Sequence, residues 1–140
     1  MSADSATGAG DGPTPYQRIG GGDAVRALVD RFYDLMDLEP TYADLRRVHG
    51  NDLANARDKL TWFLSGWLGG PDLYIERFGH PRLRARHLPF SIGARERDQW
   101  MECMNQAMIE QGVDEDLRAR LVQAFFQTAD WMRNRPEPAA

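Results

Sequence analysis

Gly79-His80-Pro81-Arg82-Leu83-Arg84-Ala85-Arg86-His87-Leu88-Pro89-Phe90 is the stretch on which the reading of this chain turns. It belongs to a longer segment, 72–92, with four arginines, two histidines and no sustained hydrophobic period, entered through Pro71. Such a composition predicts mostly loop. Structureless connections longer than about 12 to 15 residues are uncommon inside a compact domain unless they serve a function. This segment is therefore where chemistry is sought first.

On either side of it the apolar residues recur at helical spacing. Behind Gly20-Gly21-Gly22, with Asp23 as the expected N-cap, Val25, Leu28, Val29, Phe32, Leu35 and Met36 form one stripe that ends at Pro40. Tyr33 falls at the margin of that stripe, where a ring can face the interior while its hydroxyl reaches a partner. A second helix, expected to start at Asn51 or Asp52, carries Leu53, Ala56, Leu60, Phe63, Leu64 and Trp67 and closes at Gly69-Gly70-Pro71. Trp67 reads as core and Trp62 as flank. A third, from about Ala94 to Gln111, aligns Trp100, Cys103, Met104, Ala107 and Met108. A fourth, from near Asp114, repeats Leu117, Leu121, Ala124, Phe125, Thr128 and Met132. No comparable strand pattern occurs, so the expected class is all-α.

The chain has 140 residues, which is one domain of ordinary size. Residues 1–14 read as a flexible tail, 15–133 as the folded domain and 134–140 as a second tail, because the ends are small, polar or proline-bearing. Seventeen Lys and Arg against 21 Asp and Glu give a net charge of −4, which argues against non-specific nucleic-acid binding. The longest central run without charge, Leu60 to Pro71, is too short for a spanning helix, so no membrane crossing is expected. A single cysteine and the absence of a basic, apolar leader point to the cytoplasm.

His49, His80 and His87 lack zinc-site spacing, and one cysteine cannot complete a local Cys/His site. No serine sits in a Gly-x-Ser-x-Gly turn, and Cys103 falls on an apolar helix face, where a thiol is usually inert. Read from the residues alone, His87 is either a ligand on a short rigid support between Leu83 and Pro89-Phe90 or a surface histidine in a basic loop. His80, between Gly79 and Pro81, is pushed into extended geometry and reads as structural.

Taken together, Gly79 to Phe90, the glycine run before Arg31-Phe32-Tyr33, the helix start Leu53-Ala54-x-Ala56, the Gly69-Gly70 that follows, and Arg97-Asp98-x-Trp100 resemble a group II truncated haemoglobin. The likeness extends from about Tyr16 to Met132. It implies a two-over-two helical sandwich around b-type haem, with segment 72–90 cradling the iron side. It further implies His87 as the proximal iron ligand, with Lys59, Tyr74, Arg86 and Phe90 touching the haem and Lys59 and Arg86 reaching a propionate. On the other face it places Tyr33, His49, Ala56, Leu60, Phe63 and Trp100 as the gas pocket.

Two positions depart from the wider pattern. Ala56 stands where many globins carry histidine or glutamine, which moves hydrogen bonding onto Tyr33 and Trp100. His49 stands where relatives often carry Tyr or Phe, and Gly50-Asn51-Asp52 is one residue shorter than the usual form. His49 could therefore donate to a bound gas, stay outside the pocket, or itself bind iron.

The function so implied is reversible binding of O2, and of CO or NO, at a pentacoordinate iron, with slow O2 release through the Tyr33 and Trp100 donors. The alternative is a haem redox enzyme that dioxygenates nitric oxide or uses peroxide and needs an external reductase. A third reading, without haem, is an α-helical interaction module whose basic segment 77–86 docks an acidic partner. The expected state is monomer or homodimer.

Overall fold

Thr14 starts the regular structure by capping helix α1 (Pro15–Ile19): its hydroxyl accepts from the Gln17 amide at 3.1 Å, and the Gln17 side chain accepts from the Thr14 amide at 2.9 Å. The computed structural model describes residues 12–50, 53–83, 87 and 92–133, so the expected tails outside 12–133 lie beyond the described residues. Helix α2 (Gly22–Leu38) is followed by a 3-10 turn (Pro40–Tyr42) and α3 (Ala43–Val48). Then come α4 (Ala54–Trp67), α5 (Leu73–Phe78), α6 (Ala94–Glu110) and α7 (Glu115–Trp131). Every regular element among the described residues is helical.

The four long helices α2, α4, α6 and α7 are the four whose stripes the sequence displays. Helix α2 packs on both α4 and α6, and α6 packs on α7, which is the two-over-two arrangement. The α2 stripe from Val25 to Met36 is buried in full, against Cys103, Met104, Ala107 and Met108 of α6 and Leu117, Leu121 and Phe125 of α7. Burying a stripe of this kind is what holds such helices in place, because propensity alone leaves short helices marginal.

Several boundaries differ from expectation. Helix α2 is capped at Gly21, with Asp23 inside the first turn, because Gly20 and Gly21 adopt φ of +120° and +82° and bend the chain into the helix earlier. Helix α4 begins at Ala54 with Leu53 at its cap, and Asn51 and Asp52 lie outside the described residues. In α7 the last buried residue is Ala129, four residues after Phe125, whereas Met132 is the half-buried C-cap. Segment 72–92 is also less irregular than its composition suggests: α5 occupies Leu73–Phe78 and buries Tyr74, and both Leu83 and His87 stand in helical backbone.

One close approach ties the chain start to the end of α4. The Tyr16 amide donates to the Leu68 carbonyl at 2.9 Å, and the Gly70 amide donates to the Ser65 carbonyl at 2.8 Å. A Cβ on Gly70 would stand 2.5 to 2.7 Å from three carbons of the Tyr16 ring. Gly70→Ala is therefore expected to destabilise the fold by about 1–3 kcal/mol, the usual cost of forcing an extra carbon into a filled site. Urea unfolding would register it, and an unaltered midpoint would show that the ring yields freely.

Candidate functional site

Phe32, fully buried on α2, sets two polar aromatic side chains around itself. Its ring meets Tyr33 edge to face at 5.0 Å between centroids and Trp100 of α6 at 5.3 Å. Trp100 in turn leans on Phe125 of α7 at 5.4 Å, and Phe125 stacks on Trp67 of α4 at 4.7 Å. Tyr33 also meets His49, at the end of α3, at 5.8 Å. One aromatic chain thus links all four long helices and brings Tyr33, His49 and Trp100 into one neighbourhood.

The polar tips of this chain are its informative part. Among the described residues, neither the Tyr33 hydroxyl nor the Trp100 indole N–H has a hydrogen-bond acceptor, while no fully enclosed side-chain nitrogen or oxygen lacks a partner. Each of these two polar tips therefore keeps some accessible area instead of being sealed in the core. Burial pushes the Tyr33 hydroxyl far above the usual phenol range, despite the opposing pull of the Arg57 charge, so it keeps its proton and stays a donor. His49 is half-buried, and its Nδ1–H donates to the Leu45 carbonyl at 3.1 Å, which leaves the ring lone pair on Nε2. Burial lowers its proton affinity against that hydrogen bond, and the nearby charges of Arg46 and His87 lower it further.

His87 is fixed in the same manner. Its Nδ1–H donates to the Leu83 carbonyl, four residues earlier, at 2.6 Å, so in the neutral ring Nε2 carries the lone pair. Orientation of an imidazole by a main-chain carbonyl through the opposite nitrogen is the usual preparation for a metal ligand. The donor set suits haem on this ground: an oriented imidazole, two donors without an acceptor among the described residues, and apolar neighbours. Ala56, Leu60 and Phe63 of α4 supply the last of these, each half-buried and packed against the core.

Of the remaining expected contacts, Lys59 lies with its ammonium 5.5 Å from the Phe78 ring centroid, and Tyr74 is buried against Phe78 at 4.8 Å and Phe63 at 6.4 Å. Lys59, Phe63 and Tyr74 thus gather where α4 meets α5. Arg86 and Phe90 lie outside the described residues. His80 is exposed and accepts from the Arg82 amide at 3.0 Å, a local turn contact in keeping with a structural role.

Cys103 is the one candidate nucleophile, and its surroundings quieten it. It is fully buried, its thiol donates to the Phe32 carbonyl at 3.2 Å, and burial pushes its pKa up to about 12. Native protein at pH 8 is expected to resist a thiol reagent that reacts with the urea-unfolded chain, since the thiolate is the reactive form. Rapid labelling of the folded protein would contradict that.

Sequence reasoning missed two residues that build this neighbourhood. Phe125 reads as an ordinary core position, and only the fold shows it bracing both Trp67 and Trp100. Arg57 gave no signal, because its partners Asp30 and Asp34 are on another helix.

Residues 14–134 match the family described as bacterial-like globin. A group 2 truncated hemoglobin of Bacillus subtilis is 40% identical over 88% of this chain and 90% of its own. The structure of a group II 2-on-2 hemoglobin from Agrobacterium tumefaciens is 41% identical with a TM-score of 0.85, covering 90% of this chain and 98% of that one. That of a truncated oxygen-avid haemoglobin from Bacillus subtilis is 38% identical with a TM-score of 0.79, covering 87% and 100%. These matches displace the haem-free interaction module, and they identify haem b as the cofactor and diatomic gases as the ligands. The chain belongs to the bacterial-like globins, and within them to the group II truncated haemoglobins.

Proposed function

We propose that this globin holds haem b through His87 and retains O2 through two donors, Tyr33 and Trp100, so that the gas binds reversibly and leaves slowly. When bound, the haem would supply an iron that takes one ligand from the protein and leaves room for a diatomic gas. His87 would serve as that ligand, its ring oriented by the Nδ1–H hydrogen bond to the Leu83 carbonyl, which leaves the Nε2 lone pair in the neutral ring. Lys59, Tyr74, Arg86 and Phe90 are assigned to the haem periphery, with Lys59 and Arg86 pairing a propionate.

On the gas side, O2 held at the haem would be a better hydrogen-bond acceptor than CO. Phenol and indole donors would therefore favour O2 selectively, with the apolar Leu60 and Phe63 assigned to the same pocket. Ala56 contributes space and no hydrogen bond. His49, neutral at physiological pH because burial lowers its proton affinity, confines the Tyr33 ring from the α3 side. The observation that carries the proposal is that Tyr33 and Trp100, braced on one phenylalanine, present donors with no acceptor among the described residues.

The relative described as oxygen-avid supports the same reading. Stopped-flow displacement of O2 by CO tests it. Slow O2 release that is lost on removing the donors is expected, and fast release from the unmodified protein would refute it.

A further inference from the structure

Arg57 follows Ala56 on α4 and reaches across to α2. Its guanidinium meets Asp34 Oδ1 at 2.7 Å and Asp30 Oδ1 at 3.2 Å, and donates to the Asp30 main-chain carbonyl at 3.1 Å. The same group lies 5.8 Å from the centroid of the Tyr33 ring. Asp30 and Asp34 are one helical turn apart on α2 and bracket Tyr33 between them. Arg26 extends the arrangement, meeting Asp30 at 3.2 Å and Asp58, the neighbour of Arg57, at 2.7 Å. A chain of alternating charges, Asp34, Arg57, Asp30, Arg26 and Asp58, therefore fastens α2 to α4 beside the phenol.

Arg57 differs from an ordinary surface cation in two ways. Its side chain is only 21% exposed, and its planar fork is committed to two carboxylates and a carbonyl, which fixes its orientation. A guanidinium held near an aromatic ring is attracted to the π-electrons and draws density away from them, and a phenol so depleted donates more strongly. Burial and Arg57 pull in opposite directions on the Tyr33 proton, and Arg57 is the group that favours donation.

We propose that Arg57 is a positioning residue for Tyr33: clamped by Asp30 and Asp34, it fixes the phenol between α2 and α4 and strengthens its O–H as a donor to the gas ligand. The inference rests on the donor role of Tyr33 proposed above. Asp30 and Asp34 offset part of the charge, so the fixed placement of the fork counts as much as its field. Lysine, a compact point charge without the planar fork that spans two carboxylates and a carbonyl, is expected to replace arginine incompletely.

The test uses the haem-loaded protein with Arg57→Met and Arg57→Lys, each alone and combined with Tyr33→Phe. It reads O2 dissociation, CO dissociation and the infrared C–O stretch of the CO complex, which reports the donors around the gas without turnover. Arg57→Met is expected to speed O2 release roughly 2- to 5-fold, leave CO release as it was and raise the C–O stretch. Arg57→Lys falls between, and neither change has any effect once Tyr33 is phenylalanine. If Arg57→Met does not retain haem, Arg57→Lys carries the same comparisons.

The inference is overturned if Tyr33→Phe speeds O2 release but the Arg57 variants do not. It is equally overturned if they speed O2 and CO alike, or act undiminished without the Tyr33 hydroxyl. If Tyr33→Phe itself releases O2 like the unmodified protein, the donor reading fails and this inference fails with it.

Discussion

Tyr33→Phe is expected to release O2 about 10- to 100-fold faster than the unmodified protein while its CO release stays within a factor of about 2. The magnitude follows from the worth of one hydrogen bond to a charged acceptor, about 1.5–3 kcal/mol, where each 1.4 kcal/mol corresponds to tenfold in rate. Removing only the hydroxyl leaves the ring, so the edge-to-face contacts with Phe32 and His49 persist and the change reports the donor rather than packing. Trp100→Phe acts in the same direction and shortens the aromatic support on Phe125 as well. Its CO kinetics are the control for that second effect. The two substitutions share one acceptor, so the double variant should fall short of the product of the single effects. Equal acceleration of O2 and CO would instead point to a loosened pocket.

Much of this fold was written in period, and what was missed was written in contacts. The α2 stripe is buried residue for residue as its spacing demands, and α4, α6 and α7 follow where the spacing runs for three turns or more. Helices α1, α3 and α5 escaped because five or six residues give too little period to detect. Within α5 only Tyr74 is buried while Ile75 and Phe78 are exposed, so composition there resembles loop.

The candidate site divides along the same line. Tyr33 and Trp100 stand on recognisable stripes, and the fold brings them to a common neighbour. Arg57 looks like any charge on a helix until α2 places two aspartates beside it. For His87, sequence offered a ligand or a loop histidine with equal ease. The hydrogen bond to Leu83 orients the His87 ring as the one to Leu45 orients His49, and the family resemblance is what proposes His87 as the ligand.

His87→Gly carries the second large effect, because it removes the proposed bond between protein and iron while leaving the pocket on the far side intact. Any ligand bound only by the folded state stabilises it by mass action, so loss of haem should also lower the melting temperature. His49→Gly is the matched control: it removes an imidazole from the same neighbourhood without touching the proposed ligand, and should retain haem.

The most direct measurement is a haem titration of unmodified protein, His49→Gly and His87→Gly, reading the Soret band and its shift on adding CO. Stoichiometric haem uptake and a CO-responsive band are expected for the first two. The third should take up little haem, and free imidazole should restore the band by filling the space of the lost ring. An undiminished, CO-responsive Soret band in His87→Gly without imidazole would contradict the assignment of His87 and everything built on it.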